Sequence, residues 1–318
     1  MKVIGGYFEL ELAKGEEYHK DAIRLNTGRN AFEYILKAKG YKKVYLPFYT
    51  CDVMLEPIIK LNITCEFYSI RNNFEPIFDF HKVMMDEVFV YTNYFGVCDR
   101  IVNEVSLQCK NLIIDNSQAF FSKPLSNVDT FYSVRKFFGV PDGAYLYTDT
   151  LLLDNLETDI SYQRFEHLLG RADIGAEKFY TAFKNNDESL NNQPIKRMSK
   201  ISQKLLSGID YQPISDKRIE NFNSLHCQLK NINQLNITIE SKITPMIYPL
   251  LVENGDKLKK KLVHNKVFVA TYWPNIKEWV DIDSLEMYLY DNLVCIPIDQ
   301  RYDEKNMERI KNLIFNYA

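Results

Sequence analysis

An α/β architecture with a largely parallel sheet is predicted by three observations. Between about residues 25 and 150, short apolar runs alternate with helical patterns at the pace of βα units. Six such runs, from Val44–Leu46 to Ala144–Tyr147, can be picked out as strand candidates. From 234 to 318 mixed strand and helix patterns return after a helical stretch over about 154–232, which predicts a smaller C-terminal α+β domain. A domain boundary is placed near 210, at Ser207-Gly208-Ile209-Asp210, giving a large domain over 1–210 with an N-terminal arm over 1–20, and a small domain over 211–318.

The strand candidates are Val44–Leu46, Cys65–Tyr68, Val88–Tyr91, Leu112–Ile114, Thr130–Tyr132 and Ala144–Tyr147. The clearest helix is NTGRNAFEYILKAKG. Phe32, Ile35 and Leu36 fall on one face, Asn26 or Thr27 can cap the start, and Gly40 stands where a left-handed C-terminal cap belongs. A short helix is expected over 53–61, and a closing helix has Met307, Ile310, Leu313 and Ile314 on one face. The polar stretch KNNDESLNNQP (184 to 194) reads as an exposed loop.

Composition narrows the function classes. The net charge of -3 comes from 39 basic and 42 acidic side chains with no basic block, so no nucleic-acid partner is expected. The first residues lack the apolar core of a signal peptide, and no run approaches the ~18 apolar residues of a membrane span, so a cytoplasmic protein without membrane association is expected. Six dilute cysteines without a CxxC pair read as reduced thiols, and the five histidines show no metal-ligand spacing. Trp273 reads as a core residue or as part of a substrate entrance, and Arg301 as a ligand for a donor carboxylate, a helix cap or a partner of Asp303.

Three segments carry candidate chemistry. Thr27-Gly28-Arg29 opens the first helix, where free backbone N–H groups can hold a phosphate or simply be capped. LIIDNSQAFF ends an apolar strand in Asp115, with Gln118 three residues on. A carboxylate there either lies in the ligand crevice of an open α/β sheet or caps the next helix. In DTFYSVRKFFGVPDGAYLYT a strand leads to Ser133 and Lys136, which stands between apolar flanks. A lysine amine forms a Schiff base when deprotonated, a state favoured by burial and by a neighbouring cation such as Arg135. The alternative is a solvent-facing Arg-Lys pair.

The order and spacing matter more than each segment: Asp115 comes 87 residues after Gly28, and Lys136 comes 21 after Asp115. Together with VYLPFYT (44 to 50), Phe95-Gly96, Arg197-Met198-Ser199 and IPIDQRYDEKNMERI (296 to 310), they resemble the DegT/DnrJ/StrS sugar aminotransferases. The resemblance spans most of the chain. It implies the three-layer fold of the type I transferases that depend on pyridoxal 5'-phosphate (PLP), and a homodimer with sites at the subunit interface. It further implies transfer of an amino group from an amino acid, glutamate being expected, to a nucleotide-linked keto-sugar. In the implied site Lys136 carries PLP as a Schiff base and moves the proton, and Asp115 pairs with the ring nitrogen. Gln118 lies near the phenolic oxygen, while Ser133 and the Thr27, Gly28 and Arg29 helix start hold the phosphate. Cys51 stands where relatives place a stacking aromatic residue, so that the contact is expected either from Tyr49 or not at all. Ser133 stands three rather than five residues before the lysine, and Ile195 replaces an expected cross-subunit asparagine. Competing readings are a PLP-dependent sugar dehydratase, whose relatives replace the lysine with histidine, and a catalytically silent protein that binds a sugar or a partner.

Overall fold

The structure, a computed structural model, describes residues 4–235 and 243–316. In chain order its first elements are β1 (Ile23–Leu25), α1 (Gly28–Lys39), β2 (Lys43–Pro47), α2 (Leu55–Lys60), β3 (Thr64–Ile70), β4 (Pro76–Ile77), β5 (Glu87–Thr92), α3 (Asp99–Gln108), β6 (Leu112–Asp115), β7 (Asp129–Ser133) and β8 (Ala144–Tyr147). There follow α4 (Glu166–Asp173), α5 (Tyr180–Ser189), α6 (Lys200–Ser207), α7 (Tyr211–Leu229), β9 (Ile247–Leu251), α8 (Gly255–His264), α9 (Ile276–Trp279), α10 (Leu285–Asn292), β10 (Leu293–Pro297) and α11 (Glu304–Phe315).

Strands β1 to β8 form one sheet in the order β1-β8-β7-β6-β5-β2-β3-β4. The centre, from β7 through β6, β5 and β2 to β3, is parallel, while β8, β1 and β4 join it antiparallel. All six strand candidates named from sequence lie in this sheet. Successive side chains on a strand point to opposite faces, and the core divides accordingly. Val44, Leu46, Val88, Val90 and Ile113 pack with Phe32, Ile35 and Leu36 of α1 on one face. On the other, Tyr45, Phe89, Tyr91, Leu112 and Ile114 pack with α3 and α7 residues such as Ile101, Phe222 and Leu225. The result is a three-layer α/β/α arrangement.

Helix α1 begins where expected: Thr27 is extended, its hydroxyl oxygen accepts the Asn30 N–H at 3.1 Å, and Gly40 ends the helix in the left-handed region at φ 68. The stretch 184–194 departs from the loop reading, because α5 continues to Ser189. Its composition is polar throughout, yet Asn186 turns inward to donate to the Pro141 carbonyl at 3.1 Å and Leu190 is fully buried. Two inward anchors suffice to dock a polar helix.

At the C-terminal end β9 and β10 pair antiparallel, with α7, α8, α10 and α11 packed around them. Helix α11 carries a reciprocal cap between Asp303 and Asn306. Arg301 forms a two-pronged ion pair with Asp299, at 2.6 and 2.8 Å, rather than with Asp303. Trp273 is a core residue, edge-on to Tyr49.

Candidate active site

Strand direction brings the three chemistry-bearing segments to one edge. Strands β5, β6 and β7 are parallel, so Thr92, Asp115 and Ser133 mark neighbouring carboxyl ends. Strand β1 runs antiparallel to β8, which runs antiparallel to β7, so the chain leaving β1 enters α1 at the same edge. A Cβ added at Gly28 would lie 3.4 Å from Ser117 Oγ and 3.7 Å from Ser133 Cβ. The α1 start, Ser117 and Ser133 thus form one polar cradle in which backbone N–H groups sit at the positive end of a helix dipole. Thr27 contributes less through its hydroxyl, which is occupied in capping and in donating to Asn30 Oδ1 at 2.6 Å. Arg29 is likewise committed: its guanidinium donates to Glu56 at 2.9 Å and to Asn191 at 2.5 Å, which leaves its backbone N–H for an anion.

Asp115 is buried, and its Oδ1 accepts the Ser117 N–H at 2.8 Å. Burial pushes its carboxyl above the usual carboxylate range, while the Lys136 ammonium and the Ser117 hydrogen bonds pull it back. Lys136 closes a single helical turn, Val134–Lys136, directly after β7. Its side chain is exposed, and it makes no hydrogen bond or ion pair among the described residues. Its charge is felt by both Asp115 and Cys51. Burial drives the Cys51 thiol up to about 11, so Cys51 is a neutral group beside that amine.

Gln118 is fully buried with an uneven set of partners. Its Oε1 accepts the Phe95 N–H at 2.9 Å, whereas its Nε2 has no partner among the described residues. A buried amide donor without an acceptor is costly. An acceptor oxygen brought by a ligand would relieve it. The Thr92 hydroxyl is unpaired as well, and Thr92 lies opposite Asp115 in the β5–β6 register, so the two side chains share a sheet face. Thr92 and Ser117 escaped the sequence reading. Ser117 sits inside the quoted DNSQ run, and its place beside Gly28 depends on a contact the sequence does not display.

Tyr49 is fully buried, edge-on to Trp273 at 5.0 Å and tilted against Tyr94 at 5.8 Å. A cofactor ring reaching its face would have to displace these contacts. The remaining residues fit PLP: a carboxylate for the ring nitrogen, an orphaned amide donor for a ring oxygen, a free lysine amine and a helix-start cradle for phosphate. Among the described residues no helix is long and apolar enough to cross a membrane.

No known family profile matches the chain, and no curated protein matches it by sequence. Solved structures do match. A DegT DnrJ EryC1 StrS aminotransferase from Brucella abortus is similar over 93% of this chain and 85% of its own, at 15% identity and a TM-score of 0.64. NtdA from Bacillus subtilis, solved with bound cofactor PMP, is similar over 93% and 72%, at 12% identity and a TM-score of 0.65. DesV from S. venezuelae, solved with a ketimine intermediate, is similar over 93% and 84%, at 13% identity and a TM-score of 0.64. The chain adopts the three-layer fold of the DegT, DnrJ, EryC1 and StrS sugar aminotransferases.

Proposed function

We propose that this chain is a PLP-dependent aminotransferase that moves an amino group from an amino acid, glutamate being the expected donor, to a nucleotide-linked keto-sugar. The observation that carries the reading is the partnerless Lys136 amine within the field of buried Asp115, at the edge where the Gln118 amide is left without an acceptor. Neighbours of the same fold hold PMP or a ketimine, which supports the cofactor assignment. Bound PLP supplies an electron sink for the carbon that gains or loses a proton.

The chain's own groups divide the work. Asp115 would keep a proton on the ring nitrogen of bound PLP, and its burial, which raises its carboxyl, would make that pairing favourable. Gln118 donates to the ring oxygen and is oriented by the Phe95 N–H. The Gly28 and Arg29 amides with Ser117 and Ser133 would hold the phosphate, and the Lys136 amine would hold the cofactor and, when released from it, move the proton. Residues 1–210 form the cofactor-bearing domain and 211–318 the smaller one.

The working unit is a cytoplasmic homodimer. Leu151, Leu153, Ile160, Tyr162, Leu169, Ile174 and Tyr180 are all exposed within residues 151–180, apolar surface that a second copy could cover. A second copy covering it is expected to bury above ~2,000 Å². Light scattering on the purified protein checks this, and a fully active monomer overturns it. The function is tested by colour. Protein reconstituted with PLP should be yellow, bleach with borohydride and carry the label on the Lys136 peptide. A colourless, unlabelled protein refutes the assignment. A labelled protein that aminates no keto-sugar nucleotide refutes the substrate class alone.

A further inference from the structure

Arg218 of α7 is a buried charge with no carboxylate partner. It is 2% exposed, and among the described residues no ion pair includes it. The nearby Asp299 is already held by both prongs of Arg301. Burial pulls the Arg218 pKa down to about 10, with Asp299 opposing from a distance. A desolvated guanidinium in this state is expensive unless its donors are satisfied. Its Nε and Nη1 donors meet neutral acceptors from two separate segments. Its Nε donates to Gln300 Oε1 at 3.1 Å, and its Nη1 donates to the carbonyls of Met246 at 2.9 Å and Pro245 at 3.5 Å. Its flat face lies 4.5 Å from the centre of the Phe137 ring.

Each contact leads to one wall of the site. Gln300 Nε2 donates to the Phe137 carbonyl at 3.0 Å, and Phe137 is the residue after Lys136. Phe137 is therefore gripped twice, at its ring by Arg218 and at its backbone by Gln300. On the other side, the Met246 N–H donates to the Phe95 carbonyl at 2.8 Å, and the Phe95 N–H holds Gln118 Oε1. Phe95 is a non-glycine residue in the left-handed region, at φ 55, followed by Gly96 at φ 68, where an added Cβ would lie 3.1 Å from the Gln118 carbonyl. Such a turn persists only when its surroundings over-determine it.

We infer that Arg218 is a positioning residue that locks the Lys136 segment and the Gln118 shelf to each other through Gln300–Phe137 on one side and Met246–Phe95 on the other. This rests on the cofactor reading for its consequence, though not for its geometry. The arginine reaches both segments because it occupies the apolar stripe of α7, four residues after Ile214 and seven before Leu225. Its fork, which bonds and stacks at once, is not reproduced by lysine.

The test uses the full chain in two arms. In the protein without added cofactor, Arg218→Gln should accelerate amide exchange at Phe95, Phe137 and Met246 by about 10-fold or more, ahead of β2 and β5 amides, which is the scale of a broken coupling. Leu225→Ala, a packing loss on the same helix, should raise exchange without that selectivity. With PLP added, Arg218→Gln should weaken cofactor affinity by about 10-fold, more than a Leu225→Ala variant of equal or lower stability. Gln300→Ala should move the same readouts less, and the double variant should fall short of additivity because both residues act on Phe137. If Arg218→Gln does not fold, Gln300→Ala alone must give the selective exchange at Phe137. Uniform or unchanged exchange overturns the lock, as does selective exchange with unaltered PLP affinity. A wild-type chain that takes up no PLP refutes the function, and the exchange arm still decides the lock.

Discussion

Two buried aspartates of this chain are built in opposite ways. Asp142 is fully buried, and its carboxylate accepts the Ser199 N–H at 2.8 Å and the hydroxyls of Ser199 and Ser202 at 2.7 and 2.6 Å. Its donors come from α6 and the residue before it, so it staples that helix to the turn before β8. Among the described residues Asp115 has donors only from Ser117, two residues past the end of its strand, and beyond it lies a lysine without a hydrogen-bond or ion-pair partner. Its neighbours Thr92 and Gln118 each retain an unpaired polar atom. A satisfied buried charge holds elements together, while an under-satisfied one beside a free cation is poised for something that the chain alone does not supply.

The comparison is broken most decisively at Lys136. Lys136→Ala should fold normally, take no borohydride label and show no measurable turnover, because among the described residues Lys136 is the lysine whose charge Asp115 feels. A label on another peptide would dissolve the distinction. Asp115→Asn comes next: it preserves shape and removes charge, so turnover at saturating PLP should fall by about 100-fold with little change in melting temperature. Unchanged turnover would remove Asp115 from the chemistry. Asp142→Ala should do the reverse. It strands the Ser199 N–H and the Ser202 hydroxyl, leaving the Ser199 hydroxyl only Ser161 as an acceptor, costs about 3 kcal/mol in denaturant unfolding, and leaves cofactor affinity of the folded fraction intact. A variant as stable as wild type would show that the staple carries little.

The same contrast explains what the sequence displays. Strand runs such as Val88–Tyr91 and Leu112–Ile114 are legible because burial on both faces demands unbroken apolar residues. The α1 start and Gly40 are legible because caps need particular residue types. Asp115 and Lys136 stand out because each is a charge at the end of an apolar run. By contrast, β1 is a three-residue strand defined by its pairing with β8 and a bridge from Leu25 to the distant Arg197. Helix α5 is polar enough to read as a loop, since only Asn186 and Leu190 turn inward. Arg218 did leave a trace, a charged residue in the stripe of Ile214, Phe222, Leu225 and Leu229, but helical arginines usually face solvent. Asp142 lies in a PDG turn, where an aspartate is ordinary, and its serine partners are more than 50 residues away.

A smaller effect, spread over pH, sharpens the comparison with a third buried titratable group. His19 is 2% exposed, with Nε2 2.7 Å from the Phe120 carbonyl and Nδ1 3.1 Å from the Tyr147 hydroxyl. The carbonyl can only accept, so Nε2 carries the proton and Nδ1 accepts from Tyr147. Both nitrogens are satisfied in the neutral ring. Rings of Tyr18, Phe120, Tyr132 and Tyr145 surround it, and this burial lowers its pKa from 6.5 to about 4 despite the Phe120 carbonyl. The unfolded chain therefore binds the proton first as pH falls, so stability must decline from pH 6.5 down to about 4 and is fully present above that window. The decline attributable to His19 is up to about 3 kcal/mol. Carboxylates titrate in the same range, so the measurement is a difference: unfolding free energy from pH 4.5 to 7.5 for wild type and for His19→Phe, which keeps an aromatic ring and removes the titration. The gap between the two should move against wild type as pH falls. A constant gap would mean that His19 takes up its proton over the same pH range in the folded and the unfolded chain, so that its burial gives stability no pH dependence.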